Sequence, residues 1–204
     1  MTAPAPGHGP RPPEGAGHAF DPGALCLELL TTGGPEALAR HELLHEPDDL
    51  AYWLALSRLH LPPTRVDVTD GDLLDARQLR DTLWQLARAR AHGRPGSTDD
   101  LALLNHAAAR TSLAPQIGPS GAHSWALPAI GAQAVATIAR DAVDLFTGPF
   151  AGRIRECSAH DCHLIFVDTS RPGRRRWCTM ETCGNRHRTR PTRSHRDGEE
   201  QADA

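Results

Sequence analysis

Cys157, Cys162, Cys178 and Cys183 stand in the pattern C-x4-C-x15-C-x4-C, in a 204-residue chain whose fifth cysteine is Cys26. Two cysteine pairs with about fifteen residues between them have the form of a tetrahedral Zn2+ site, in which thiolate sulfur is the ligand. Two disulfides would need an oxidising compartment. An iron–sulfur cluster would use the same ligand type, but its spacings characteristically include C-x2-C. His160, His163 or His187 would enter as replacement ligands, which four matched cysteines make unnecessary; they read as surface residues. Cys26 lies alone in a helical pattern and reads as core filling.

Arginines are threaded through the same stretch. All 22 basic residues of the chain are Arg. Residues 1–150 carry eleven Arg against seventeen acids, a net of −6, whereas residues 151–196 carry eleven Arg against four acids, a net of +7. Residues 197–204 form an acidic tail of −4. The chain therefore sets a basic module on an acidic body behind an overall pI near 6.4. A zinc tetrathiolate carries −2, which leaves the module at +5. Arg174, Arg175, Arg176, Arg186, Arg188 and Arg190 are the candidate phosphate contacts, because each neutralised phosphate releases counterion. The alternative is a zinc-stabilised protein-interaction module, its arginines docked on the acidic body or on a partner.

One string suggests an enzyme. HELLH at residues 41–45 matches H-E-x-x-H, in which two His bind zinc and Glu42 would activate water. Pro47 stands two residues after His45 and hinders helix continuation, and no downstream motif supplies an obvious third ligand, His60 and Asp67 being mere candidates. The string is weighed as a chance product of a chain with 12 His, and the expectation is that the protein is not an enzyme.

The elements that must position these residues are mostly helical. Hydrophobic residues make up 39% and aromatics 4%, a Leu/Ala filling that favours packed helices. Residues 1–19 read as a disordered leader without the apolar core of a signal peptide, so a cytoplasmic location is expected. No run of about eighteen apolar residues exists to span a bilayer. ALCLELL pairs Leu25 with Leu29 and Cys26 with Leu30. Pro47 opens a second helix. In DLLDARQLRDTLWQLARARAHG the stripe is Ala76, Leu79, Leu83, Leu86 and Ala87, with Gly93 at the C-terminal cap. STDDLALLNHAAAR begins with a Ser/Thr cap and places Leu101, Leu104 and Ala108 on one face. A last helix is expected from about Trp125 to Thr147, with Pro128 in its first turn and Gly148-Pro149 as its stop. The expected fold is mainly α: an all-α domain over 20–150, fused directly to a small zinc-binding module over 151–196. In that module HLIFVD (163–168) and RRRW (174–177) are expected to form a β-hairpin on a type II turn at Pro172-Gly173. Thr179 would then cap a helix bearing Cys183, with Trp177 a core plug.

RECSAHDCHLIFVDTSRPGRRRWCTMETCGNRHR resembles the CGNR zinc finger, named for the tetrapeptide that is Cys183-Gly184-Asn185-Arg186 here. The likeness covers all four cysteines, the F-x-D of Phe166 and Asp168, and the run from Ser170 to Cys178. The helical part, in EPDDLAYWL, DARQLRDTLWQLARA and DLALLNHAAAR, resembles the ABATE domain, described as a stress-induced transcription regulator. The resemblance implies a zinc-dependent nucleic-acid-binding regulator whose helical half senses a small-molecule or protein effector; together with the local charge of +7 it makes a DNA-binding transcription regulator the leading expectation, with RNA as the nucleic acid and a homodimer left open.

Overall fold

The computed structural model describes residues 20–185. Five α-helices build the body: α1 (Leu25–Leu29), α2 (Pro47–Leu56), α3 (Asp70–Ala91), α4 (Thr98–Ala109) and α5 (Gly131–Thr147). Three two-stranded pairs accompany them. β1 (Val66–Asp67) lies parallel to β4 (Ala129–Ile130), and β2 (Pro115–Ile117) lies antiparallel to β3 (His123–Trp125). β5 (Ile154–Glu156) lies antiparallel to β6 (Ile165–Val167). The chain is thus mainly helical, with a small sheet and the cysteine cluster at its C-terminal end.

Helix ends follow local chemistry. At the start of α3, Asp72 N–H donates to Thr69 Oγ1 (3.2 Å) while Thr69 N–H donates to Asp72 Oδ2 (2.9 Å), a reciprocal satisfaction of two end donors. At its other end Gly93 takes φ +66. Gly93 N–H then reaches Arg90 O (3.1 Å) and Arg94 N–H reaches Ala89 O (2.8 Å), closing the helix in a Schellman motif. Ser97 caps α4 by accepting from Asp100 N–H at 3.0 Å.

The expected α3 stripe is buried at every position, as are Leu25, Cys26, Leu29 and Leu30. α3, α4 and α5 pack around this core with α1 against α5. Burial pushes the Cys26 thiol up, and nearby Asp141 adds to that shift.

Four expectations are corrected. The last helix begins at Gly131 rather than near Trp125. Trp125 is held in β3, and its indole N–H donates to Leu59 O at 3.0 Å. On α4, Leu104 is buried but Leu101 is 45% exposed; it lies beside Gly96, past the core's edge. The strand partner of residues 165–167 is Ile154–Glu156, ahead of the first cysteine, not Arg174–Trp177. Asp168 explains this: its Oδ2 accepts the Arg175 N–H at 2.9 Å, which a β-ladder would otherwise use. The turn is also shifted, since Gly173 N–H donates to Ser170 O (3.0 Å) and Arg171-Pro172 occupy its corner. Gly173 leaves the turn at φ +64, a left-handed conformation that suits glycine.

Candidate metal centre

Register along β5 and β6 divides their side chains between two cores. Ile154, Ile165 and Val167 are buried in the helical core. Phe166, pointing the other way by the two-residue period of a strand, is fully buried with Cys157, Cys178 and Cys183. Phe20, Ala159, Leu164 and Trp177 pack around that second cluster.

Each sulfur is placed by a different local device. Cys157 follows β5, and its N–H donates to Leu164 O at 2.9 Å. Cys162 closes a tight turn through its N–H to Ala159 O, 3.1 Å. Cys178 follows the irregular Arg174–Trp177 stretch, which Ser158 N–H ties down at Arg176 O (2.9 Å). Cys183 rides on one wide helical turn, Met180–Gly184, whose cap is Thr179 Oγ1 accepting from Thr182 N–H at 3.2 Å. A Cβ at Gly184 would come within 2.9 Å of Met180 Sδ and 3.4 Å of Trp177 Cδ1. The absence of a side chain there lets the turn close on the cluster.

The four Sγ atoms all lie within 4.8 Å of one another. Cys162 and Cys178 are 3.8 Å apart, and Cys178 and Cys183 are 3.5 Å apart. Tetrahedral Zn–S bonds of about 2.3 Å place sulfurs about 3.8 Å apart, so the donor set fits a single zinc ion. Cys178 N–H donates to Cys157 Sγ at 3.4 Å, a contact that favours thiolate. Hydrogen bonds from the Cys162 and Cys178 thiols hold Cys157 well below the usual thiol range, and the Cys157 contact pushes Cys162 up. Zinc binds thiolates, so an ion at this position would displace the thiol protons and neutralise the crowded sulfurs.

Asp168 is the buried organiser of this module. It accepts from Ser170 N–H (3.0 Å), Ser170 Oγ (2.6 Å) and Arg175 N–H (2.9 Å) with no solvent exposure. Burial alone would raise its carboxyl; the hydrogen bonds from Ser170 and Arg175 outweigh this and hold it below the ordinary range. The sequence carried a signal for this role, because Asp followed two residues later by Ser is an Asx-turn pattern.

The candidate arginines separate by environment. Arg175 is half-buried, donates from Nε to Trp177 O (2.9 Å) and from Nη2 to Cys178 O, and stacks 4.4 Å over the Phe166 ring. It is a clamp within the fold rather than an outward contact. Arg153 likewise donates to Ser170 O at 2.8 Å, and Arg155 to Gly152 O at 2.8 Å. Arg174 and Arg176 are exposed, with Arg176 stacked 5.1 Å over Trp177. Arg171, not singled out in the sequence, is exposed on the neighbouring turn. Arg186, Arg188, Arg190 and His187 lie outside the described residues. His160 is exposed, and His163 points to Glu156 (3.7 Å) rather than joining the sulfurs.

HELLH does not form a zinc helix. His41 ends a 3-10 turn, Glu36–His41, and residues 42–45 are irregular, so the two His do not share a helix face. Glu42 is committed to Arg80 through Nη1–Oε1 (2.7 Å) and Nη2–Oε2 (2.8 Å). Among the described residues, the four cysteines form the one group suited to hold a metal ion.

Residues 23–149 match the ABATE family model, described as a "putative stress-induced transcription regulator", and residues 153–196 match the CGNR zinc finger model. No curated protein matches the chain. No helix among the described residues is long and apolar enough to cross a membrane. An ABATE match over more than half the chain, followed by a four-sulfur cluster in the CGNR segment, makes this protein a member of the ABATE family with a C-terminal CGNR zinc finger.

Proposed function

We propose that the protein is a zinc-dependent, DNA-binding transcription regulator acting in the cytoplasm. Cys157, Cys162, Cys178 and Cys183 would hold one Zn2+, whose bonds close a segment too small to fold by its own core. Arg174 and Arg176, joined by Arg171 and by Arg186, Arg188 and Arg190 beyond the described residues, would meet the phosphates. The carrying observation is the division of labour among the arginines. Arg153, Arg155 and Arg175 brace the frame, while Arg174 and Arg176 face solvent on it.

Docking of the module's arginines on the acidic body has less support. Among the described residues, the ion pairs between body and module have the opposite sense, with Glu156 of the module receiving His92 (2.6 Å) and Arg88 (3.5 Å).

Fluorescence anisotropy of the zinc-loaded full chain against duplex DNA at several salt concentrations tests the reading. Log affinity is expected to fall linearly with log salt, by about 0.9 per phosphate neutralised. A salt-independent signal, or no binding at low salt, removes it.

A further inference from the structure

Beside the sulfur cluster runs an open groove of about 610 Å3. One wall is Phe20 and Asp21, where the chain enters the helical body; the other is the stretch from Arg174 to Glu181. Its volume lies within the range of small-molecule sites, about 300–1,000 Å3. Its chemistry is mixed in a particular way. Phe20 and Trp177 supply aromatic surface, Arg174 and Arg176 supply exposed positive charge, and the Glu181 carboxylate is an exposed acceptor. Asp21 is held at the far side by Arg58.

Duplex DNA is read by a protruding helix or ribbon that enters a groove of the nucleic acid, and one face of the β5–β6 ribbon is buried in the helical core. A concave slot with aromatic walls and a basic rim is instead the form that takes unpaired bases, by stacking and by backbone neutralisation. The Glu181 carboxylate adds an acceptor suited to an exocyclic amino group, as on cytosine.

We infer that this groove binds one unpaired nucleotide, with its base against Phe20 and Trp177 and its phosphate at Arg174 and Arg176. The inference rests on the nucleic-acid reading above and names the form of nucleic acid that the site takes. A free mononucleotide offers the same chemistry as an unpaired residue of a strand, so the test includes both.

The experiment uses the zinc-loaded full chain, with labelled single strands of about ten nucleotides, the matching duplex, and a free mononucleotide. The expected result is single-strand binding at least ~10-fold tighter than duplex binding at equal salt, with most of that preference lost in Phe20→Ala. Because Phe20 also packs on the cysteine cluster, Arg174→Gln provides a second variant on an exposed side chain, expected to weaken single-strand binding with unchanged zinc content. Duplex binding as tight as single-strand binding overturns the inference and leaves the DNA reading intact. Mononucleotide binding without oligonucleotide binding keeps the groove as a nucleotide site and removes the DNA reading. No binding of any of the three removes both.

Discussion

Phe166 and Val167 are adjacent in β6, yet they belong to different cores: Phe166 is fully buried against the cysteines, and Val167 is buried in the helical body. A single strand therefore carries packing from the metal centre to the helices. Val167 N–H also donates to Pro22 O at 2.8 Å, which ties the strand to the segment leading into α1. The zinc module is attached through shared side chains as well as chain connectivity.

Metal removal should consequently have a graded effect. The protein is expected to hold about one zinc ion per chain; chelation, or Cys183→Ser, should abolish that content and expose the Phe166 cluster, while Ile165 and Val167 stay anchored in the helical core. Far-UV circular dichroism should keep most of its helical signal, and amide exchange should rise sharply across residues 157–183. Unchanged exchange there after verified zinc loss would contradict a metal-dependent module.

Asp168 should prove as important to the module as a ligand. Asp168→Ala leaves the part-buried Ser170 and Arg175 donors without their acceptor, at a cost of about 1–3 kcal/mol. Asp168→Asn keeps the shape, but its amide cannot accept on both sides and should fall between the two. Thermal unfolding at saturating zinc separates the three proteins, and equal midpoints would show that this hydrogen-bond set adds nothing to stability.

Arg174 and Arg175 are consecutive and should behave oppositely. Arg174→Gln is expected to leave the unfolding midpoint alone and to reduce the salt slope of DNA binding by about one. Arg175→Gln removes the clamp on Trp177 O and Cys178 O together with the stack on Phe166, so it should lower stability and zinc retention first. Urea titrations paired with salt-dependent anisotropy would distinguish them. Equal loss of DNA affinity at full stability would return Arg175 to the phosphate-binding set.

Periodicity made the helical body legible, because α3 repeats its apolar stripe over about three turns and ends at a glycine free to take positive φ. Spacing made the cysteine cluster legible for a different reason: four identical ligand types have few other uses. The β-pairing was not legible in the same way. HLIFVD has two potential partners, and alternation cannot choose between IRE before Cys157 and RRRW after the turn. The choice depends on Asp168 taking the Arg175 N–H and on Ile154 completing a core contributed by distant helices. The roles of Arg175 and Glu42 were hidden for a related reason, since a charge in sequence does not show whether its partner is solvent or a buried group.

The Arg80–Glu42 pair offers the last prediction. Arg80 is 2% exposed and Glu42 13%, and Gly33 packs against them so closely that a Cβ would meet Arg80 Nη1 and Glu42 Cα at 3.0 Å. Arg80 Nε also meets the half-exposed Asp81 at 3.1 Å, so Glu42→Gln weakens rather than removes the compensation of Arg80 and should cost less than the ~3–5 kcal/mol of a fully unpaired buried charge. Burial alone would raise the Glu42 carboxyl, but the Arg80 hydrogen bonds, the Leu44 N–H and the charges of Arg80 and Arg77 outweigh it and hold it below the ordinary range. A carboxylate depressed in the folded state contributes its full stability above its unfolded pKa of about 4.3, where both states are ionised; between the two pKa values the unfolded chain binds more protons, and the stability is lost as pH falls through the folded value. The stability gap between wild type and Glu42→Gln should therefore be constant from neutral pH to about 5 and close progressively below about 4. Comparing the two proteins at each pH cancels acid release of zinc, which affects both. A gap that stays constant into strong acid would show that Glu42 is not stabilised as a carboxylate by Arg80. His41→Ala, which removes a side chain exposed outside the pair, should leave both stability and zinc content unchanged.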